Sequence, residues 1–124
     1  MLYHHLTREV YAYIIYSINL IWTIEMKQDF EEMKKQAAEA SGVLKAIANE
    51  TRLLILCSII EDDFTVNQLS EIAGAGQSAV SQHLKVLSEQ NIVSSKRMGK
   101  KIIYKITEPK VKAILVLMHA LYCK

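Results

Sequence analysis

Two short helical repeats joined by a glycine-containing turn constrain the fold more than any other feature of this chain. They occupy residues 66–90, VNQLSEIAGAGQSAVSQHLKVLSEQ. Apolar residues recur in both at helical spacing, and Gly74 follows the first as a helix stop. The side chains that we expect to be buried are Val66, Leu69 and Ile72 in the first repeat and Val80, Leu84 and Leu87 in the second. Two helices so connected predict a helix-turn-helix.

The exposed face of the second helix is unusual, because it carries short hydroxyls and amides rather than the Glu and Lys of an ordinary solvated face. Such groups hydrogen-bond to base edges and phosphates, so this helix is predicted to lie in the major groove of DNA. His83 has two equally supported interpretations, a DNA contact or a packed histidine at the helix edge. The predicted DNA-binding residues of this helix are Gln77, Ser78, Ser81, Gln82, His83 and Lys85.

Residues 91–107, NIVSSKRMGKKIIYKIT, predict a β-hairpin directly after this helix. Ile92 and Val93 begin one strand, KIIYKIT forms the other, and Met98, Gly99 and Lys100 make the turn. The hairpin is cationic and contains no acid, which favours phosphate contacts over a merely solvated turn. Its cations are Lys96, Arg97, Lys100, Lys101 and Lys105, the first four of which we predict to touch DNA. The hairpin is therefore the wing of a winged helix-turn-helix.

The remaining segments predict more helices around this motif. Residues 29–47 have one apolar side, and Asn49 can cap a following helix, ETRLLILCSII, that is apolar almost all round and is expected in the core. Thr107 is expected to cap the last helix, with Pro109 in its first turn. That helix is too apolar for a small domain to cover, so a homodimer is predicted. The fold class is mainly α with a small β-hairpin, in the order α-α-α-α-β-β-α.

The first 25 residues do not match the rest. Residues 10–24 carry no charge and are too few for a membrane-spanning helix, which needs roughly 20. Three interpretations stand: a mis-assigned start with Met26 as the natural initiator, an added helix, or a weak anchor. We favour the first, which makes residues 1–25 a doubtful extension and residues 26–124 the DNA-binding and dimerisation domain.

Charge is divided between the two halves of the chain. Residues 1–71 carry 6 basic and 11 acidic side chains, whereas residues 72–124 carry 9 basic and 2 acidic ones. This asymmetry suggests an anionic partner for the second half. The two cysteines make no secreted disulfide framework, so the protein is expected to be cytoplasmic. No phosphate loop, paired-histidine motif or nucleophile–base spacing predicts an enzyme, and we expect no cofactor and no membrane partner.

Three stretches, LKAIANETRLLILCSI, VNQLSEIAGAGQSAVSQHLKVLSEQNIV and KIIYKIT, closely resemble the ArsR/SmtB winged-helix repressors. The resemblance covers residues 29–124, with Gly76 standing where close relatives usually have a serine helix cap. Cys57 and Cys123 look most like the HlyU and BigR branch. That branch implies homodimers whose cysteine pair senses oxidants or reactive sulfur and lowers DNA affinity. From the sequence alone, however, Cys57 is equally a small core residue.

The resemblance implies no metal site. Thr65 and Asn67 stand where arsenic-sensing members have thiolates, and oxygen and amide groups are not the soft ligands that such ions prefer. Only His119 represents the zinc ligands of the last helix. The predicted function is a repressor that binds a double-stranded operator of two-fold symmetry and releases it when the Cys57/Cys123 pair is modified. The alternatives are a regulator without its own inducer, a metal-responsive regulator and a protein-interaction module.

Overall fold

A computed structural model describes residues 8–23 and 30–123. In these ranges the chain forms six helices and one two-stranded antiparallel sheet. The elements are α1 (Arg8–Ile21), α2 (Phe30–Ile47), α3 (Glu50–Ile59), α4 (Val66–Ala73), α5 (Gln77–Glu89), β1 (Val93–Met98), β2 (Lys101–Ile106) and α6 (Pro109–Tyr122). The predicted order of helices and hairpin from residue 29 onward is confirmed, and the architecture is a winged helix-turn-helix.

The backbone divides into two compact units, one of residues 42–115 and one of residues 1–41 with 116–124. The first unit contains a continuous apolar core, to which α3, α4, α5, the hairpin and the start of α6 all contribute. Its most deeply buried side chains are Ile55, Leu56, Leu69, Val80, Leu84, Leu87, Ile92 and Val111. At about 25 cal/mol per Å² of apolar surface, burial of this set is what holds the helix-turn-helix together.

Polar caps fix where the helices begin and end. The Oδ1 of Asn49 accepts the N–H of Arg52 at 3.0 Å, which confirms the predicted cap of α3. Thr65 and Gln68 form a reciprocal capping box at the start of α4. Gly74 ends α4 at φ +63°, a left-handed conformation that glycine adopts without steric cost.

Two predictions about this unit are wrong. Thr107 does not cap α6, because the helix begins at Pro109 and the Thr107 hydroxyl donates to the carbonyls of Asn91 and Ile92 instead. Ile72 is 46% exposed rather than buried, and only Leu69 of the predicted α4 stripe lies fully in the core. An eight-residue helix presents little more than one full turn to the core, which is enough for a single central anchor.

The second unit includes α1, the first part of α2 and the end of α6. The Tyr11 hydroxyl donates to the Ala120 carbonyl at 2.6 Å, and Tyr11 and Ile14 are half-buried. Residues 8–21 are thus helical, as the added-helix interpretation requires, whereas Met26 lies outside the described residues. None of the helices in the described ranges has the length and apolarity to span a bilayer. Large apolar side chains of α1, such as Tyr13, Tyr16 and Trp22 next to it, are more than half exposed.

Candidate nucleic-acid interface

Helix α5 separates its apolar and polar residues cleanly. Val80, Leu84 and Leu87 are buried, as predicted. The opposite face is exposed and carries Gln77, Ser78, Ser81, Gln82 and Lys85. At about 100° per residue, Ser78, Gln82 and Lys85 lie nearest the centre of this face, whereas Gln77 and His83 lie at its two edges. The short polar side chains therefore form one outward row on a helix held from below by the core.

A side-chain hydrogen bond fixes the first edge of α5 to α4. The Gln77 Nε2 donates to the Asn67 Oδ1 at 2.7 Å, across the turn of the helix-turn-helix. The turn itself is closed by a bond from the Ser70 hydroxyl to the Ala75 carbonyl and by the Ala75 N–H to the Ser70 carbonyl at 3.2 Å. Gly76 occupies the N-cap of α5, as expected, and makes no side-chain cap. Gln77 thus has a structural role besides its predicted DNA contact.

The second edge of α5 is held by Arg52, a residue that the sequence interpretation did not select. Its Nη1 lies 3.2 Å from the Nδ1 of His83. Its Nε donates to the Ala46 carbonyl, and its Nη2 donates to the Lys45 carbonyl at 3.4 Å. One guanidinium therefore connects the end of α2 to the recognition helix. A signal was available, since a cation in the first turn of a helix is disfavoured by the helix dipole and needs a specific partner.

The hairpin presents its cations around a tight turn. Met98 pairs with Lys101, and Gly99 takes φ +64° between them. Because side chains alternate along a strand, Lys96 and Lys101 lie on one face and Arg97 on the other, with Lys100 in the turn. All four of these side chains are exposed. The Arg97 Nε also donates to the Gly99 carbonyl at 3.3 Å and so braces the turn.

Lys105 differs from the other hairpin cations. Its Nζ pairs with the Asp63 carboxylate from the segment before α4. The prediction that no acid accompanies the hairpin cations holds for the hairpin sequence but is wrong for the folded protein. This ion pair neutralises Lys105 and ties the base of the hairpin to the helix-turn-helix unit, while the tip stays cationic.

Both cysteines are exposed. Cys57 lies on the outer side of α3, so the interpretation of Cys57 as a core residue is wrong, as is that of α3 as buried all round, since Leu54 is 42% exposed. Cys123 follows the end of α6. No cluster of three or more metal-ligating side chains occurs in residues 8–23 and 30–123. Thr65 and Asn67 are already used as a helix cap and as the acceptor for Gln77.

Comparison with known proteins decides the family. The model of the bacterial regulatory protein, arsR family, matches residues 49–95, which run from the Asn49 cap through α5 into β1. The transcriptional activator HlyU of Vibrio cholerae is 38% identical over 96 residues, 77% of this chain and 89% of that protein. This chain belongs to the ArsR family.

Other members of the ArsR family share both sequence and fold with this chain. The biofilm growth-associated repressor of Xylella fastidiosa is 36% identical over 75% of this chain and 82% of that protein. The structure of reduced HlyU from Vibrio cholerae superposes with a TM-score of 0.73 at 39% identity, covering 77% of this chain and all of the other. The resemblance to the HlyU and BigR branch is therefore confirmed, and this ArsR protein has the fold of bacterial transcription regulators.

Proposed function

We propose that this protein is a homodimeric transcriptional repressor that binds an operator with imperfect two-fold symmetry. The observation that carries the proposal is the outward row of Ser78, Ser81, Gln82 and Lys85 on a helix whose other face is packed into the core. Gln can bond bidentately to the N6 and N7 atoms of adenine, and Ser can bond to several bases. The neighbouring cations Lys96, Arg97, Lys100 and Lys101 would bind phosphate or the adjacent minor groove.

Exposed apolar surface supports the homodimer. Val116 and Leu117 in α6 are each 37% exposed, and Leu121 and Tyr122 at its end are more exposed still. Contiguous apolar residues of this size in a regulator favour a protein partner, and a second copy buries the same patch on both chains. A symmetric pair then sets two recognition helices one DNA turn, about 34 Å, apart. The proposed operator accordingly has two half-sites at that spacing.

We further propose that a bond between Cys57 and Cys123 switches this binding off. Tetrathionate is a suitable oxidant: two thiols and one tetrathionate give one disulfide, two thiosulfates and two protons. A reactive sulfur species would give a bridge with one or more additional sulfur atoms. The exposure of both cysteines supports access by such reagents. A covalent link between α3 and the end of α6 would change the spacing of the two recognition helices, and both half-sites must be met together.

The test is binding-site selection from random duplexes with reduced and tetrathionate-treated protein in parallel. We expect the reduced protein to select a two-fold symmetric sequence, and the treated protein to lose affinity while mass spectrometry finds the Cys57–Cys123 bridge. The Cys57→Ser and Cys123→Ser variants are the matched controls, and treatment should leave their binding unchanged.

Two outcomes would contradict the proposal. If treatment bridges the cysteines and leaves affinity intact, the protein is a regulator without this switch. If reduced protein is retained on heparin and selects no sequence, the operator-binding role fails and an interaction module is the better description.

A further inference from the structure

We infer that Arg52 fixes the tautomer of His83 so that the Nε2–H of this histidine donates a hydrogen bond to DNA. The inference rests on the operator binding proposed above and adds a donor to it. It assigns two residues to recognition: His83 as a contact and Arg52, which does not touch DNA, as its positioning residue.

Arg52 is held in place by acceptors on α2. Its side chain bonds to the carbonyls of Ala46 and Lys45 with two of its nitrogens, which leaves Nη1 directed at His83. The fork geometry of a guanidinium makes these three contacts interdependent. The backbone N–H of Arg52 is bound by the Asn49 cap, so the start of the side chain is fixed as well. Arg52 is thus a rigid donor at the edge of α5.

The chemistry of this contact decides where the proton of His83 lies. A guanidinium has five N–H donors and no acceptor, so the Nδ1 of His83, 3.2 Å from Nη1, must accept. A neutral imidazole that accepts at Nδ1 carries its proton on Nε2. In the other tautomer, or in the imidazolium, an N–H group would face the N–H group of Arg52. The geometry therefore selects the Nε2–H tautomer.

The second ring nitrogen remains available for a ligand. His83 is half-buried, yet its Nε2 is not among the buried polar atoms, and within the described part of the chain no protein group bonds to it. It follows Gln82 on α5, about 100° around the helix, at the edge of the polar row. A donor at that place fits an acceptor at the margin of the groove, either a base-edge oxygen or nitrogen or a phosphate oxygen.

Long-range ¹H–¹⁵N correlation of the histidine rings tests the tautomer without DNA. We expect His83 of the native protein to be protonated at Nε2 and not at Nδ1, and Arg52→Lys to broaden or mix this signature while a thermal melt stays cooperative. Finding the Nδ1–H tautomer in the native protein would overturn the inference, whether or not the protein binds an operator. The Nε2–H tautomer in a protein that selects no operator would support the Arg52 contact and refute the proposed function alone.

Two isosteric variants test the DNA contact. Asparagine at position 83 keeps an acceptor near the Nδ1 position for Arg52 and removes the donor at the Nε2 position, whereas glutamine does the reverse. We expect His83→Asn to weaken operator binding about tenfold per half-site, about a hundredfold for a dimer, and His83→Gln to stay within about threefold. Equal loss in the two variants, or none in His83→Asn, would refute the contact. A loss that depends on sequence indicates a base acceptor, and a uniform loss indicates a phosphate.

Discussion

Replacing Lys100 with alanine should change how operator affinity depends on salt more than it changes the fold. Lys100 lies in the hairpin turn, is exposed, and has no ion-pair partner among the described residues. Each phosphate contact of a protein on duplex DNA contributes about −0.9 to the slope of log K against log salt. A dimer loses two such contacts, so the slope should become shallower by about 1.8.

The size of this effect is measurable by fluorescence anisotropy between 50 and 200 mM salt. A slope difference of 1.8 over that range makes the deficit of Lys100→Ala about twelvefold smaller at the high-salt end than at the low-salt end. The matched comparison is the double variant Asp63→Asn with Lys105→Gln, which removes a neutral ion pair from the same hairpin and should keep the native slope. Lys34→Ala, on α2 outside the hairpin, is the second control. A native slope in Lys100→Ala would refute a phosphate contact by the tip.

Three further predictions concern α5 and its support. Gln82→Ala should relax base preference at one position per half-site by about 1–3 kcal/mol, measured by electrophoretic titration against operator variants, and an unchanged preference would remove Gln82 from base recognition. Asn49→Ala should lower the free energy of unfolding by about 1 kcal/mol in urea titration, because the N–H of Arg52 loses its acceptor; Asn49→Ser should recover most of it. Leu84→Ala should cost about 2–5 kcal/mol in the same assay, since Leu84 is 1% exposed, and a cost below 1 kcal/mol would contradict its central place in the core.

Sequence alone was enough for the elements whose cause is local. The stripe of Val80, Leu84 and Leu87 predicted α5 because a helix returns to the same face every 3.6 residues, and the hairpin followed from β-branched residues around Gly99. The Asn49 cap also depends on a bond only three residues long. For the same reason the outward polar row of α5 could be described before the structure was known.

The parts that failed depend on partners far apart in the chain. Arg52 meets His83 across 31 residues, and Lys105 meets Asp63 across 42, and neither pair leaves a trace in local periodicity. Thr107 looked like a helix cap, yet it bonds to carbonyls 15 and 16 residues earlier. The exposure of Cys57 likewise depends on which side of α3 the neighbouring helices cover, and an almost wholly apolar helix gives no indication of that side.

The hairpin combines an anchored base with an unburdened tip. Ile103, Ile106 and Val93 hold the strands in the core, while the residues from Lys96 to Lys101 contribute nothing to it. Mutations at the tip therefore adjust attraction to nucleic acid almost without thermodynamic penalty to folding. Descendants of this chain can raise or lower their occupancy of a promoter by exchanging one exposed cation at a time, and an engineer can use the same residues as a dial.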